Sequence, residues 1–260
     1  GDQVEKYLIP CARAEKRELF ALTEPEAGSD IMSMKTNARR DGEDWILNGS
    51  KHFISGPVMP DFAIVFAVTG MDETERGSRK RITAFLVDVG TEGFDISEGT
   101  RSVSYRGYLT FQLGFSDARL GPGQILGEEG RGLELSGKWL SMNRVWVGAS
   151  CCGKAERLFN LAAEWAATRK QFGQPIGKFQ ATGFKLADMA VELKAADLLV
   201  MDAVAKGDKG KMSDSDAAMV KLFCSEMLNR TADHTVQIYG GMGLMEEMPI
   251  QRLWRDSRLE

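Results

Sequence analysis

Hydroxyls, carboxylates and small residues crowd into one ten-residue run, Ala21-Leu22-Thr23-Glu24-Pro25-Glu26-Ala27-Gly28-Ser29-Asp30. Pro25 and Gly28 fix a turn there. Thr23 and Ser29 place hydroxyls on it, and Ala27-Gly28 leaves room for backbone to approach a flat ligand. The run reads as a plain turn or as a ligand shelf. A second group, Arg169-Lys170-Gln171-Phe172-Gly173-Gln174-Pro175-Ile176-Gly177, lies between helical patterns. It fits a solvated interhelical loop. It fits equally an anion clamp, in which Arg offers a bidentate fork, Phe a flat apolar surface and the next helix a positive N-terminus. A third, Gly240-Gly241-Met242-Gly243, lacks the last glycine of a dinucleotide fingerprint and follows a helix, so it reads as a helix stop. Its backbone N–H groups still suit a diphosphate. Gly132 to Lys138 has the glycine and lysine spacing of a phosphate loop, but Trp139 stands where Mg²⁺ coordination needs Ser or Thr. That stretch reads as the start of a helix.

Other chemistries find little support. Cys11, Cys151, Cys152 and Cys224 form no CxxC pair and no metal spacing, and adjacent Cys151-Cys152 sit in a small-residue run that suits helix packing. His52 and His234 are far apart and read as ordinary structural histidines. The net charge of −4 on 260 residues disfavours a nucleic-acid partner, which needs a clustered basic face. No apolar run approaches a membrane span. The opening GDQVEKYLIPCARAEKRE lacks a secretory core and reads as the charged end of a helix.

The elements that must position these groups fall into two halves. Residues 20–128 read as β. Asp41-Gly42 is a hairpin signal. Trp45-Ile46-Leu47 is a short apolar run ended by Asn48-Gly49. Phe62 to Val68, Ile82 to Val87 and Tyr108 to Phe115 suit strands, the first buried on both faces. Short strands with turns between them suggest a small barrel or sandwich. From residue 130 the period becomes helical. Leu158, Leu161, Ala162 and Trp165 form one stripe. Phe184, Ala187, Val191 and Leu198 form a second, and Met219, Leu222, Phe223 and Met227 a third. Lys206 to Gly210 is a helix stop, and Ser213 to Asp216 supplies an N-cap. Long helices with short loops imply an antiparallel bundle. The fold class is α+β: a β-barrel or sandwich domain, then an antiparallel four-helix bundle.

The first run resembles the first signature of the acyl-CoA dehydrogenase family, in which a hydrophobic residue, Thr and Glu lead to Gly-Ser-Asp. The second signature is matched by Gln237 to Leu244 with Glu247, Arg252 and Asp256. Arg169 to Gly173 with Phe179-Gln180 matches a third recurring segment. Together they cover essentially the whole chain. The resemblance implies a remnant of an N-terminal helical domain at 1–19, a middle β domain at 20–129 and an incomplete C-terminal helical domain at 130–260, usually assembled as a dimer of dimers. It implies FAD as cofactor. Phe20, Leu22 and Thr23 would lie along the flavin ring. Ser29 would belong to the same site, near the pantetheine end of an acyl-CoA. Phe53, Ile54 and Ser55 resemble the segment, usually Trp-Ile-Thr, that covers the flavin face; Ser55 keeps a hydroxyl for N5, and Phe53 lacks the indole N–H. Arg169 and Gln171 would reach the FAD diphosphate of a neighbouring subunit, with Phe172 and Gln180 lining that shared site. Gln237, Gly240 and Gly241 would hold the adenosine diphosphate end. Arg144 matches a position that contacts the thioester arm.

The implied reaction is α,β-dehydrogenation of an acyl-CoA thioester, in which a carboxylate takes the α-proton as hydride leaves the β-carbon for flavin N5. An electron-transfer flavoprotein would take the electrons. Most members place the base a few positions beyond where Glu260 stands, so Glu260 is not it. A minority place it on the helix of Arg144, where this chain has neutral Asn143. No catalytic base is assigned. A non-catalytic FAD- or CoA-binding scaffold and an acyl-CoA oxidase are the competing expectations. The expected location is bacterial cytoplasm or mitochondrial matrix, with no targeting segment visible.

Overall fold

Strand Asn37–Asp41 (β2) turns back into Asp44–Gly56 (β3) through only two residues, with Gly42 at φ +65°. A turn this tight needs a positive φ that glycine adopts without strain. The Asp-Gly signal therefore marks the hairpin, but Asp41 closes the strand instead of entering the turn. The computed structural model describes residues 1–75 and 77–260, with Thr74 by its backbone alone. β3 also corrects a boundary, because it runs through Asn48-Gly49 to Gly56 instead of ending there. Its register against Leu109–Leu120 (β7) slips between Leu47 and Gly49, which marks a bulge. Gly49 has φ +137°, and a Cβ there would lie 2.6 Å from the Thr36 backbone. This glycine admits a close strand approach; it does not make a turn.

Phe62–Thr74 (β4) and Gly77–Asp88 (β5) form the longest hairpin. Ala63, Val65 and Ala67 of β4 enter one core cluster while Phe66 enters another, so this strand is buried on both faces. Glu18–Ala21 (β1) pairs parallel with β4. Phe94–Glu98 (β6) and Ile125–Leu126 (β8) complete one eight-stranded sheet, in the order β6-β7-β3-β2-β4-β5-β8 with β1 on β4. A single core cluster draws residues from every strand, among them Leu19, Ala38, Leu47, Val65, Phe85, Phe94, Phe111 and Ile125. A flat sheet of this width could not bring its edge strands onto one core, so the sheet curls over it. Before β1, the charged opening is helical over Val4–Leu8 and Ile9–Ala12 (α1). It is docked by Tyr7, whose ring packs on Phe62 and whose hydroxyl donates to Asp88 at 3.1 Å.

The second half is helical: Gly132–Thr168 (α2), Gln180–Asp208 (α3), Asp214–Tyr239 (α4) and the short Pro249–Ser257 (α5). Ser213 caps α4: its Oγ accepts from Asp216 N at 3.1 Å, and the Asp216 carboxylate accepts from Ser213 N at 2.9 Å. That reciprocal pair satisfies two N–H groups the helix leaves open. Small residues fill the seam between the helices, with Ala155, Ala196, Ala203 and Ala217 fully buried beside Leu158, Met227 and Leu228. Cys151, Cys152 and Cys224 pack in the same cluster.

The apolar stripes divide. Leu158 and Ala162 face inward with Leu161 and Trp165 against the cores. On α3 the buried face is instead Met189, Ala196, Val200 and Ala203. Phe184, Val191 and Leu198 are 63%, 70% and 59% exposed, and Ala187 is exposed too. On α4, Met219 and Leu222 are exposed while Met227 is buried. α3 is apolar on two faces, and periodicity does not rank them. The alanine-rich face wins inside the chain because it allows close helix approach.

The chain forms two compact units, Gly1–Gly137 and Lys138–Glu260. Among the described residues, no helix is long and apolar enough to cross a membrane, and no His, Cys, Asp and Glu cluster is placed to hold a metal ion.

Candidate functional site

In the β unit the polar run folds into a tight loop. Glu24 N donates to Ala27 O at 3.0 Å and Ala27 N to Glu24 O at 3.2 Å, with Pro25-Glu26 at the tip. Just before it, Phe20 is half-buried with its ring 5.0 Å from that of Phe66, and Leu22 packs into the same cluster. Thr23 is half-exposed and Ser29 exposed. The Glu24 side chain turns inward and meets Lys51 of β3. Their side chains are 5% and 0% exposed, with Nζ to Oε1 at 2.8 Å. Lys51 also donates to Leu22 O at 3.0 Å. The Glu24 carboxylate further accepts from Lys35 N at 2.7 Å and Thr36 N at 3.1 Å.

Burial and pairing act against each other in this pair. Burial pulls the Lys51 ammonium down to about 8, although the Glu24 carboxylate pulls it back up. For Glu24 burial works to raise the carboxyl, but the hydrogen bonds from Lys51, Thr36 and Lys35 together hold it below its ordinary value. Lys51 did not stand out in the sequence, and Glu24 was read only as part of the polar run. The available signal was a lysine at a core-facing strand position and a glutamate in a loop otherwise built for turning.

Beyond Lys51 the β3 register against β7 slips again, between Lys51 and Ile54. The bulged Phe53 sits at φ +55°, a region bulky residues avoid, and is 61% exposed with its ring 3.9 Å from that of His52. Ile54 points into the core at 2% exposure, so its side chain does not meet a ligand. Ser55 is exposed. His52 N donates to Thr23 O at 2.9 Å. The structure therefore brings Phe20, Leu22 and Thr23 beside Phe53, Ile54 and Ser55. The hydroxyls of Thr23, Ser29 and Ser55 have no partner among the described residues.

In the helical unit, the Arg169 run is more ordered than a plain interhelical loop. It is a two-residue hairpin, with Lys170–Gln171 (β9) against Gln174–Pro175 (β10). Its central residues Phe172 and Gly173 have φ +49° and +80°, the signature of a twisted two-residue turn that normally excludes bulky side chains. Phe172 nevertheless stands at the tip, 93% exposed. Arg169 and Gln171 are exposed at its base, and Gln180 is exposed as the first residue of α3.

Gln237 is exposed in the last turn of α4, and Gly240 ends that helix at φ +61°. Gly241 follows, exposed, in the short turn Gly240–Leu244. Gly243 has no room for a side chain: a Cβ would lie 2.7 Å from Val236 O. Ile176 and Ile238 share one apolar cluster with Phe159 and Trp165, and Trp165 stacks on Tyr239 at 4.5 Å. The hairpin and the end of α4 thus sit over the same end of α2. Arg144 is half-buried and does not join them. At about 1.5 Å per residue it lies some 36 Å along α2 from Thr168. Glu260 is held by an ion pair with Lys154.

Comparison with known proteins gives both units a family. Residues 19–118 match the family described as acyl-CoA dehydrogenase, middle domain, and residues 130–260 the acyl-CoA dehydrogenase, C-terminal domain. The chain belongs to the acyl-CoA dehydrogenase family. A 3-(aryl)acrylate reductase of Clostridium sporogenes is 41% identical over 99% of this chain and 67% of its own. A short-chain specific acyl-CoA dehydrogenase of Megasphaera elsdenii is 38% identical over 99% of this chain and 66% of its own. The solved butyryl-CoA dehydrogenase of Megasphaera elsdenii superposes with a TM-score of 0.91 at 37% identity, covering 99% of this chain and 67% of that one. The chain therefore spans about two thirds of the length of these acyl-CoA dehydrogenase relatives. The curled sheet and the helical domain are those of the acyl-CoA dehydrogenase fold, and the family is one of oxidoreductases.

Proposed function

We infer that this chain binds FAD and forms part of an enzyme that dehydrogenates an acyl-CoA thioester between its α and β carbons. One observation carries the reading. Lys51 and His52, which lead directly into Phe53–Ser55, hydrogen-bond to Leu22 O and Thr23 O, and the two segments between them offer two hydroxyls, backbone groups and an exposed aromatic ring. That set fits a flat ring with one polar edge. When bound, FAD supplies the hydride acceptor.

The chain's own residues have distinct tasks in this reading. Phe20, Leu22 and Thr23 address one side of the flavin. Phe53 covers a face, the backbone of Ile54 contributes at the edge, and the Ser55 hydroxyl faces N5. Ser29 and Arg144 hold the CoA arm, with Ser29 also at the margin of the cofactor site. Arg169 and Gln171 take the diphosphate of a neighbouring copy's FAD, Phe172 and Gln180 line that shared site, and Gln237, Gly240 and Gly241 hold the adenosine end. The exposed Arg169, whose guanidinium has no partner among the described residues, beside a strained aromatic tip supports a ligand from outside the chain. We assign no base: Asn143 is neutral, and Glu260 is engaged by Lys154. The division into 1–19, 20–129 and 130–260 belongs to the same reading. So do a dimer of dimers, an electron-transfer flavoprotein as electron acceptor, and a location in bacterial cytoplasm or mitochondrial matrix.

The similarity to an aryl acrylate reductase favours a second reading, in which the same site runs toward saturation of an unsaturated thioester. The test is to purify the protein, assay bound flavin, and mix it without oxygen with saturated and unsaturated acyl-CoAs. Bleaching of oxidised flavin by a saturated thioester supports dehydrogenation. Reoxidation of reduced flavin by an unsaturated one supports the reverse direction, and reoxidation by oxygen alone an oxidase. Flavin without any response leaves a binding scaffold, and no flavin contradicts the reading.

A further inference from the structure

We propose that the buried Lys51–Glu24 ion pair is a positioning device that sets the distance between the Leu22–Thr23 shelf and the Phe53–Ser55 bulge, and so the fit of the ring that lies on both. This rests on the flavin reading above. The geometry joins three segments at one point. Glu24 lies directly after the shelf and accepts from Lys35 N and Thr36 N at the entry to β2. Lys51 lies two residues before Phe53 and reaches back to Leu22 O as well as to Glu24. The adjacent His52 N holds Thr23 O, and Thr36 Oγ1 donates to Ser50 O at 3.2 Å. The hydrogen bonds named here that fix the shelf and the segment leading to the bulge each involve Glu24, Lys51 or the neighbours of Lys51, Ser50 and His52.

The cost of the arrangement argues for a role beyond folding. A buried ion pair is weak evidence for stability, because an apolar pair of similar volume often serves as well. Its distinctive property is directional. The ammonium must meet two acceptors at once, so a shift of either segment breaks a charge-assisted bond. The strained Phe53 needs such over-determined surroundings to persist. Neither charged group reaches the surface to meet a ligand, so both act through the segments they hold.

The test compares the wild-type protein with Glu24→Gln/Lys51→Met, which removes both charges at nearly constant volume, and with Glu24→Gln alone. The single variant guards against failure of the double one to fold. Gln keeps an acceptor, and a lysine that already deprotonates easily can go neutral beside it. Two readouts are taken on folded protein: amide hydrogen exchange at Lys35, Thr36 and His52, and FAD affinity by flavin fluorescence. Losing charge-assisted bonds of this kind lowers both exchange protection and FAD affinity by about 10- to 100-fold in the double variant, less in the single one. Wild-type protection at these amides overturns the proposal. So does lost protection with unchanged FAD affinity, because the brace would then hold a turn that the cofactor does not use. If the wild-type protein itself fails to bind FAD, the flavin reading falls and the positioning role falls with it, whatever the exchange data say about the local fold.

Discussion

Among the non-glycine residues at positive φ, two phenylalanines stand exposed. Phe53 and Phe172 have φ +55° and +49° and are 61% and 93% exposed. Neither conformation is explained by burial of the ring. Holding a bulky residue there costs roughly 1–2 kcal/mol. Replacing Phe172 with Gly relieves that strain but adds roughly 0.5–1 kcal/mol of unfolded-chain entropy. Phe172→Gly should therefore leave the protein about 0.5–1 kcal/mol more stable in denaturant titration while weakening FAD binding. A less stable variant would mean that the hairpin stores no strain; unchanged FAD binding would remove Phe172 from the site.

At the scale of elements, the Glu24–Lys51 pair ties loop, β2 and β3 together, and its titration gives that tie a pH signature. The Glu24 carboxyl is held below its unfolded value by the bonds from Lys51, Thr36 and Lys35. Its contribution is thus present above the unfolded value of about 4.3 and is lost as pH falls through the folded one. Thermal melts should show wild-type stability falling more steeply below that point than Glu24→Gln. Lys51 acts in the same sense at the alkaline end, because its folded value is lowered too. Its folded value is depressed to about 8, so the folded chain gives up a proton that the unfolded chain keeps. Stability from this group rises between pH 8 and about 10.4, and Lys51→Met should abolish that rise. Parallel wild-type and variant curves at both ends would contradict the pairing.

These elements also mark how far local sequence reaches. The Asp41-Gly42 hairpin, the Ser213 cap and the two-sided strand at Phe62 to Val68 were legible because each depends on neighbours in the chain. The continuation of β3 through Gly49 was not, because the glycine answers to Thr36 on another strand. The Glu24–Lys51 pair was hidden for the same reason: charged residues read as surface until a non-local partner is known. The shelf, the Arg169 run and Gly240–Gly243 could be read as possible ligand sites from their chemistry, but their flavin roles came only by resemblance. Their mutual placement, the two positive-φ phenylalanines and the inward turn of Ile54 needed the fold.

For the whole molecule, the exposed face of α3 is the feature a single chain does not explain. Val191 and Leu198 are 70% and 59% exposed on a helix whose buried face lies elsewhere. A contiguous apolar stripe of this kind suits association. The double substitution Val191→Lys and Leu198→Lys should cost each folded chain little, within about 0.5 kcal/mol for exposed positions. It should also shift light scattering from an oligomer to smaller species. An unchanged assembly would place the interface elsewhere.

The central claim is that this chain grips FAD, with Arg169 on its diphosphate. A titration of FAD into the purified wild-type protein and into Arg169→Ala, followed by flavin fluorescence, tests it most directly. The guanidinium is exposed, so the variant should fold as the wild type does. The account predicts saturable binding by the wild type and affinity lower by about 10- to 100-fold in the variant, the effect of losing a charge-assisted bidentate contact. No saturable binding, or superimposable curves for the two proteins, would contradict it.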